Sequence, residues 1–378
     1  MKKPIAKFLS FTVCTFIYTF ATTMALADTP FLNRFDSVGS ASHYRSAIEQ
    51  ARQQIQVLMD SGAPGISIAV GVDQQIVWSE GFGYANVEHR TPVTTLTKFR
   101  IGSVSKPMTA IAMAQLYEQG LVDFDAPIQD YLTSFPVKEK GKVTLRLLAS
   151  HRAGIRHYLS DGSDNFITDH YDNVLDALDI FSSDPLLFVP GERFSYSSYG
   201  YNLISAVIQE ASGQEFISLM RDRVWGPLKL LDTVADHTDY IIENRASPYT
   251  RRSDRQLRNA PFVDNSYKWA GGGFLSTPSD LVRFGFGVFH GGIIKEETLQ
   301  LLLAPPELPD GTVADQNYGL GWSRYGDNSP WVGHGGGSVG GTTFFAVHPE
   351  QDVVVAVTCN LTGCLGGNLL AIGELFID

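Results

Sequence analysis

The spacing of apolar and polar positions predicts an ordered series of helices and strands in the first third of the chain. Apolar residues recur at helical spacing over 41–60, which predicts a helix. The apolar runs 66–72 and 76–78 flank a polar turn and predict two strands. A further helical pattern follows Ser103. Pro107 fixes the start of this helix at or just after Ser103, because proline lacks an amide donor.

The pattern changes twice more towards the C-terminus. Residues 121–269 form a run of short helical patterns separated by Pro, Gly and Asp. Two strands, 344–347 and 352–357, then flank a Pro-Glu turn, and a terminal helix follows. Strands near both ends and helices in the middle predict an α+β fold. We expect an antiparallel sheet built from 28–120 and 270–378 and flanked by helices, with 121–269 inserted as a mostly helical lobe.

The first 27 residues differ from the rest of the chain. A basic start is followed by an apolar run, 8–24, and by small residues up to Ala27, which is typical of a secretory signal peptide. An uncleaved membrane anchor is the alternative, but the apolar run is short for a bilayer span. The sequence therefore predicts a leader, 1–27, and one exported domain, 28–378, in the periplasm or outside the cell.

Composition and charge exclude several classes of protein. The chain has 29 basic and 40 acidic residues, a net charge of −11, and no basic stripe, so we expect no nucleic-acid partner. No cysteine–histidine spacing indicates zinc and no acidic loop indicates calcium, and we expect neither a metal nor a cofactor. Cys359 and Cys364 flank a turn whose length permits a small disulfide, although we favour two free thiols.

A serine and a lysine one helical turn apart, Ser103 and Lys106, have the spacing needed for acyl transfer. A serine hydroxyl needs a base within hydrogen-bond reach, and side chains at i and i+3 share a helix face with about 5–6 Å between Cβ atoms. Burial and the helix N-terminus would lower the pKa of the amine, and the same N-terminus offers N–H groups to an oxyanion. The pattern alone arises by chance about once in a chain of this length, so it does not decide the site.

A second serine, Ser338, lies in a Gly-x-Ser-x-Gly motif that overlaps His334-Gly335-Gly336-Gly337. In α/β-hydrolases these two motifs are separate loops, and the serine elbow opens a helix. Here a strand pattern follows from Thr342, and no acid lies between Ser338 and His348, the one later histidine. This context favours Ser103 as the nucleophile.

Three separated segments together resemble the class C β-lactamase, DD-peptidase and esterase family of serine hydrolases. Its Ser-x-x-Lys motif matches Ser103–Lys106, and its Tyr-x-Asn motif matches Tyr196–Ser198. Its third motif, Lys-Thr-Gly or His-x-Gly, matches His334–Gly336. The resemblance covers nearly all of 28–378, and its most specific segments look most similar to the mitochondrial serine β-lactamase-like branch. Family-like segments in the expected order are 144–151, 154–158, 265–277 and 318–322.

The resemblance implies a β-lactamase/transpeptidase-like fold and a role for each matched residue. Ser103 would be the acylated nucleophile, and Lys106 its activating base or relay. Tyr196 would serve as a base and then as an acid, and a Lys106 cation would be needed to make its phenolate accessible. His334 would occupy the third-motif lysine position on a strand lining the cleft. The amides of Ser103 and Gly337 would form the oxyanion hole.

Two departures from the family pattern bear on the substrate. Ser198 replaces the second-motif Asn and is expected, with Gly336 and Gly337, to contact the substrate. His334 replaces a lysine and is a weaker, pH-dependent cation. Because neither change affects the nucleophile, the sequence predicts a serine hydrolase of amide or ester bonds in small molecules or peptides, peptidase- or esterase-like. Nearby rings are expected to be structural, namely Tyr199, Tyr201, His151 and His157.

Alternatives to this hypothesis are a β-lactam-hydrolysing enzyme, a DD-carboxypeptidase of the cell envelope, and a non-catalytic binding or scaffold protein on the same fold. The intact set of Ser103, Lys106 and Tyr196 argues against the scaffold. The sequence itself does not separate the enzymatic alternatives, because specificity depends on the loops and the lobe around the cleft.

Overall fold

A seven-stranded antiparallel sheet runs through the part of the chain that the computed structural model describes, residues 42–308, 311–314, 317–326 and 329–377. The predicted leader, 1–27, lies outside the described residues. The strands are β1 (Gly65–Val72), β2 (Gln75–Asn86), β3 (Thr91–Pro92), β4 (Phe99–Arg100), β5 (Val234–Ala235), β6 (Tyr249–Arg251), β7 (Leu257–Asn259), β8 (Phe274–Ser276), β9 (Ser323–Arg324), β10 (Val332–Ser338), β11 (Gly341–His348) and β12 (Val353–Cys359).

Helices cover the sheet and fill the sequence between its two halves. They are α1 (Arg45–Asp60), α2 (Ser105–Glu118), α3 (Leu145–Ala149), α4 (Ser198–Ser212), α5 (Phe216–Met220), α6 (Trp269–Gly272), α7 (Pro278–Phe289), α8 (Glu296–Leu303) and α9 (Leu370–Glu374). Short 3-10 turns accompany them at Gly102–Val104, Ile128–Asp130, Asp176–Ile180, Ser266–Lys268 and Pro349–Gln351, and a π turn at Arg221–Trp225.

The large sheet joins strands from the two ends of the described chain. Its order is β3-β2-β1-β12-β11-β10-β9, and β1 pairs antiparallel with β12, with Ile68 opposite Val357. The smaller sheets are β4-β8-β5 and the β6-β7 hairpin. The α+β fold with a sheet from both chain ends, predicted from the sequence, is therefore confirmed.

The two central strands are buried on both faces, which explains why their sequences are continuous apolar runs. Every residue of β1 and β12 is buried. On one face α1 and α9 contribute Ile55 and Ile372 to the apolar core. On the other face α7 packs so closely that a side chain at Gly71 would meet the ring of Phe286.

Helix α2 is the central helix of the described chain and carries almost no polar face. Eleven of its fourteen residues are buried, which is typical of a helix enclosed by protein on all sides. The chain enters it through the 3-10 turn Gly102–Val104, and Pro107 lies in its first turn. The predicted helix start, at or just after Ser103, is confirmed.

The structure corrects the expectation of two free thiols, because Cys359 and Cys364 form a disulfide with 6.4 Å between their Cα atoms. Strand β12 ends at Cys359, and the turn that follows folds back over β11. Thr342 holds this turn, since its hydroxyl donates to the Leu361 carbonyl and accepts from the Cys364 amide. Within the described ranges, no helix has the length and hydropathy needed to cross a membrane.

Candidate active site

Ser103 lies in the 3-10 turn between β4 and α2, where strand β10 runs directly against it. A Cβ at Gly336 would lie 2.0 Å from the carbonyl oxygen of Ile101 and 3.3 Å from the amide nitrogen of Ser103. Gly102 has φ +52°, and a Cβ there would lie 2.5 Å from the Gly337 carbonyl oxygen. Glycine on both sides therefore permits the close approach of the two backbones.

Lys106 extends from the first turn of α2 into a fully buried environment beside Ser103. Its Nζ lies 3.0 Å from Ser103 Oγ, 3.1 Å from Ser198 Oγ and 2.5 Å from the Gly271 carbonyl oxygen. No carboxylate among the described residues lies within ion-pair distance of this amine. Burial, and secondly the charge of Lys268, hold the Lys106 pKa well below its ordinary value, which favours the neutral amine.

Tyr196 faces both members of the Ser-x-x-Lys pair. The ring centroid lies 4.9 Å from Lys106 Nζ. Burial raises the Tyr196 pKa above its usual range, and the nearby Ser103 side chain offsets only part of this rise. The role expected from the sequence needed a Lys106 cation to make the phenolate accessible. In the structure burial lowers the Lys106 pKa and raises the Tyr196 pKa, so it disfavours both the cation and the phenolate.

Two histidine rings hold the backbone on either side of Tyr196. His151 Nδ1 accepts from the Ser197 amide and His157 Nδ1 accepts from the Ser198 amide, both at 3.1 Å. Burial lowers the pKa of both rings, that of His157 to about 4, so the rings are neutral acceptors. Their structural role, predicted from the sequence, is confirmed. The same bonds fix the start of α4, where Ser197 also accepts from the Gly200 amide.

His334 lies on β10, but it is not the cation that its position predicts. Its Nδ1 lies 2.6 Å from the Gly335 carbonyl oxygen, and its Nε2 lies 2.9 Å from the Tyr318 hydroxyl. Burial lowers the His334 pKa to about 3. A neutral ring that donates from Nδ1 and accepts at Nε2 satisfies both contacts. The expectation of a pH-dependent cation lining the cleft is therefore wrong for this residue.

A cavity of about 610 Å³ opens beside Ser103. Tyr196, Ser198 and Gly337 line it with Ser103, whereas Lys106, His334 and Gly336 lie behind its wall. The Ser198 hydroxyl already accepts a hydrogen bond from Lys106. A cavity of about 700 Å³ elsewhere, lined by residues such as Lys140 and Pro305, contains none of the predicted site residues.

Lys268 is a member of this cavity wall that the sequence analysis did not single out. It ends the 3-10 turn before α6, its side chain is buried, and it lines the cavity with Ser103. Burial, and then the charge of Arg100, lower its pKa to about 7. The available signal was a lysine inside the otherwise apolar and glycine-rich stretch 267–275.

The competing serine, Ser338, has the backbone context that the sequence predicted. It ends β10, and a tight turn with Gly340 at φ +73° leads into β11 rather than into a helix. Its hydroxyl, although at the cavity wall, has no hydrogen-bond partner among the described residues. No base is therefore positioned to activate it.

Three comparisons with known proteins agree with this geometry. The Beta-lactamase family matches residues 47–367. The mitochondrial serine beta-lactamase-like protein LACTB of Bos taurus is 32% identical, over 84% of this chain and 77% of that protein. The octameric penicillin-binding protein homologue from Pyrococcus abyssi is 26% identical with a TM-score of 0.73, over 87% and 76% of the two chains. D-amino acid amidase from Ochrobactrum anthropi shares the fold, at 23% identity and a TM-score of 0.73 over 88% and 97%.

Proposed function

The chain belongs to the Beta-lactamase family of serine hydrolases, and we propose that it hydrolyses an amide or ester bond through an acyl-enzyme on Ser103. One observation carries the assignment of the nucleophile. The buried amine of Lys106 lies 3.0 Å from Ser103 Oγ and has no counter-ion among the described residues. A neutral amine in that position is the base that a serine hydroxyl needs.

The contacts of Lys106 support a direction for the first proton transfer. A neutral amine has two N–H groups and one lone pair. The Gly271 carbonyl and the Ser198 hydroxyl accept the two N–H groups, which leaves the lone pair for the Ser103 hydroxyl. As Ser103 Oγ bonds to the substrate carbonyl carbon, its proton moves to Lys106 Nζ. The negative charge develops on the carbonyl oxygen, which the amides of Ser103 and Gly337 would bind.

Tyr196 is assigned as the acid that protonates the leaving group. Its phenol keeps its proton because burial raises its pKa, and the residue lines the cavity together with Ser103. A protonated hydroxyl beside the nucleophile can donate to the departing nitrogen or oxygen as the carbonyl–leaving-group bond breaks. The proton held by Lys106 then passes to the Tyr196 phenolate, which restores both groups. In the second step water attacks the acyl carbonyl carbon and gives a proton to Lys106, and that proton passes to Ser103 Oγ as the bond between Ser103 and the acyl group breaks.

The departures from the family pattern favour a peptidase- or esterase-like activity over β-lactam hydrolysis or DD-carboxypeptidase activity. His334 is neutral and behind the cavity wall, so the third motif supplies no charge to the substrate. The Ser198 hydroxyl accepts a hydrogen bond from Lys106, so it offers no equivalent of the family's amide side chain. Its role becomes that of positioning the base.

Intact mass spectrometry tests this assignment. The purified protein is incubated separately with a fluorophosphonate probe, penicillin, p-nitrophenyl esters and D-Ala-D-Ala peptides, beside the Ser103→Ala variant. We expect a covalent adduct with the probe that is absent from the variant, and turnover of esters or peptides rather than of penicillin. An adduct that persists in the variant would refute the site. A folded wild type that never reacts would support the non-catalytic alternative.

The organisation of the whole chain is part of the same proposal. We assign 1–27 as a signal peptide and 28–378 as one exported catalytic domain with a helical lobe over 121–269. The disulfide between Cys359 and Cys364 supports an oxidising compartment. The measurement is the N-terminal sequence and location of the protein expressed from its full reading frame. A start near Asp28 in the periplasm or medium is expected, and an intact Met1 on a cytosolic protein would contradict it.

A further inference from the structure

The cavity beside Ser103 contains a buried lysine, Lys268, that has no counter-ion among the described residues. Lys268 is 5% exposed, and none of the described residues hydrogen-bonds to its ammonium or lies within ion-pair distance of it. The ammonium lies over two aromatic faces, with ring centroids at 5.0 Å for Tyr267 and 5.8 Å for Tyr158. Lys268 is also only three residues from Gly271, whose carbonyl oxygen accepts from the Lys106 amine.

An unpaired charge in such a place is costly for the folded protein. A buried ammonium is normally paired with an anion or hydrogen-bonded on all sides, and a contact with an aromatic face offsets only part of the desolvation. A buried, unpaired ammonium at the wall of an open cavity can therefore be stabilised by an anion that enters the cavity from solution.

The other charges around Lys268 do not supply this partner. Asp236 is the acid that faces it, but its carboxylate accepts from Arg100 and Asn265 at 2.8 and 2.7 Å. None of the described residues lining the cavity is acidic, and Arg251 and Arg252 add two cations to the wall. The titratable groups that interact with Lys268 are Arg100, Lys106, His157, Tyr158, Asp236 and Tyr267.

The net charge of the chain makes this cavity distinctive. The protein carries a formal charge of −11, yet a cavity lined only by neutral and cationic side chains opens at the nucleophile. A field of one sign in a cleft with low-dielectric walls raises the local concentration of ligands of the opposite sign. The ligand class complementary to this cavity is anionic.

We infer that Lys268 is a specificity-determining residue that binds a carboxylate of the substrate beside the carbonyl group attacked by Ser103. The inference rests on the proposed function, because it assigns a substrate class to that reaction. It also places the cation that recognises the substrate on the turn before α6, since His334 on β10 carries no charge. The cavity volume of about 610 Å³ fits a small molecule or a few residues of a peptide.

Two pairs of rigid esters test the inference, because in each pair only the charge changes. The first pair is p-nitrophenyl 4-carboxybenzoate and its 4-carbamoyl counterpart, with the charge on the acyl group. The second is 3-carboxyphenyl acetate and 3-carbamoylphenyl acetate, with the charge on the leaving group. The rigid ring prevents the carboxylate from attacking its own ester. The measured quantity is the ratio of kcat/KM for the charged ester to kcat/KM for the neutral ester.

For at least one pair, Lys268→Met should lower this ratio by about tenfold or more, the usual size of a hydrogen bond to a charged group. The exposed Lys142→Met variant is the matched control and should leave the ratio unchanged. In the wild type the same ratio should fall as the pH rises through about 7, because Lys268 loses its proton there. Taking a ratio cancels the pH dependence of Lys106, which affects both esters.

The outcomes separate this inference from the proposed function. Ratios that are the same in the wild type and Lys268→Met, and constant from pH 6 to 8.5, would overturn the carboxylate site while leaving Ser103 catalysis intact. Loss of Ser103-dependent turnover of both neutral esters would instead count against the proposed function. Should the variant fold poorly, the pH dependence of the ratio in the wild type still decides the question.

Discussion

Replacing Gly336 by alanine tests whether the close approach of β10 to the nucleophile's turn is required for activity. The added Cβ would lie 2.0 Å from the Ile101 carbonyl oxygen and 3.0 Å from its carbon. Both are backbone atoms, so no flexible side chain can move aside. Strand β10 must therefore separate from the turn that carries Ser103.

The size of the effect follows from these distances. An ordinary contact between carbon and oxygen is well over 3 Å, so the two segments must move apart by roughly 1 Å, and misplacement on that scale costs about 10²-fold in catalysis. Forcing a methyl group into a filled space costs typically about 1–3 kcal/mol of folding free energy. The preceding glycine on the strand, Gly335, is exposed, and a Cβ there would meet no atom within 4 Å. Alternate residues of a strand face opposite sides, which makes Gly335→Ala the matched control.

The assay combines the rate of fluorophosphonate labelling, kcat/KM for an ester, and urea unfolding for both variants. Gly336→Ala is expected to lose about 10²-fold in labelling rate and about 1–3 kcal/mol in the free energy of unfolding. Gly335→Ala should stay close to the wild type in both. Equal rates and equal unfolding midpoints for the two variants would refute the reasoning, because the contact with Ile101 would then not constrain the site.

Three further results are expected. Lys106→Met should lower kcat/KM by about 10²–10⁴-fold. In the wild type, kcat/KM should reach its plateau well below pH 10 and should fall on acidification. The reason is that burial lowers the Lys106 pKa and only the neutral amine accepts the Ser103 proton. A plateau reached only above pH 10 would contradict this. The His334 pKa of about 3 lies below its unfolded value, so its contribution to stability is lost as the pH falls from 6.5 towards 3. As the pH is lowered from 6 to 4, the free energy of unfolding of the wild type should therefore fall relative to that of His334→Gln by about 1 kcal/mol per pH unit. Urea titrations at each pH measure both free energies. Parallel pH dependences for the two proteins would show instead that the ring protonates in the folded state. Reduction of the Cys359–Cys364 disulfide should lower the free energy of unfolding by about 2 kcal/mol, with the double serine variant as the control that a reductant leaves unchanged.

The order of elements could be predicted well because each depends on residues that are neighbours in sequence. Strand β12, Val353–Cys359, was visible as the apolar run 352–357, since a strand buried on both faces has few polar positions to interrupt it. The start of α2 was visible because Pro107 fits only near a helix N-terminus. The overlap of motifs around Ser338 was resolved correctly from the strand pattern after it.

The charge states of the site could not be predicted in this way. The sequence predicts that His334 is a weak cation. In the structure burial lowers its pKa to about 3, and the Tyr318 hydroxyl contacts its Nε2, so the ring is neutral. The sequence expectation of a Tyr196 phenolate beside a Lys106 cation did not take account of burial, which disfavours the charged form of both groups. Desolvation depends on how completely distant segments cover a side chain, and no local pattern reports that.

The sequence by itself therefore determined which residues could react and in what order the chain presents them. Ser103 and Lys106 were identified by their spacing of one helical turn, and Tyr196 by its motif. Both signals lie within a few consecutive residues, so they can be recognised from the sequence alone. Only the tertiary structure decided that the Lys106 amine is buried with a lowered pKa, that Cys359 meets Cys364, and that Lys268 lies at the cavity with no counter-ion among the described residues. These properties depend on distance and burial, which arise when segments far apart in the chain pack together.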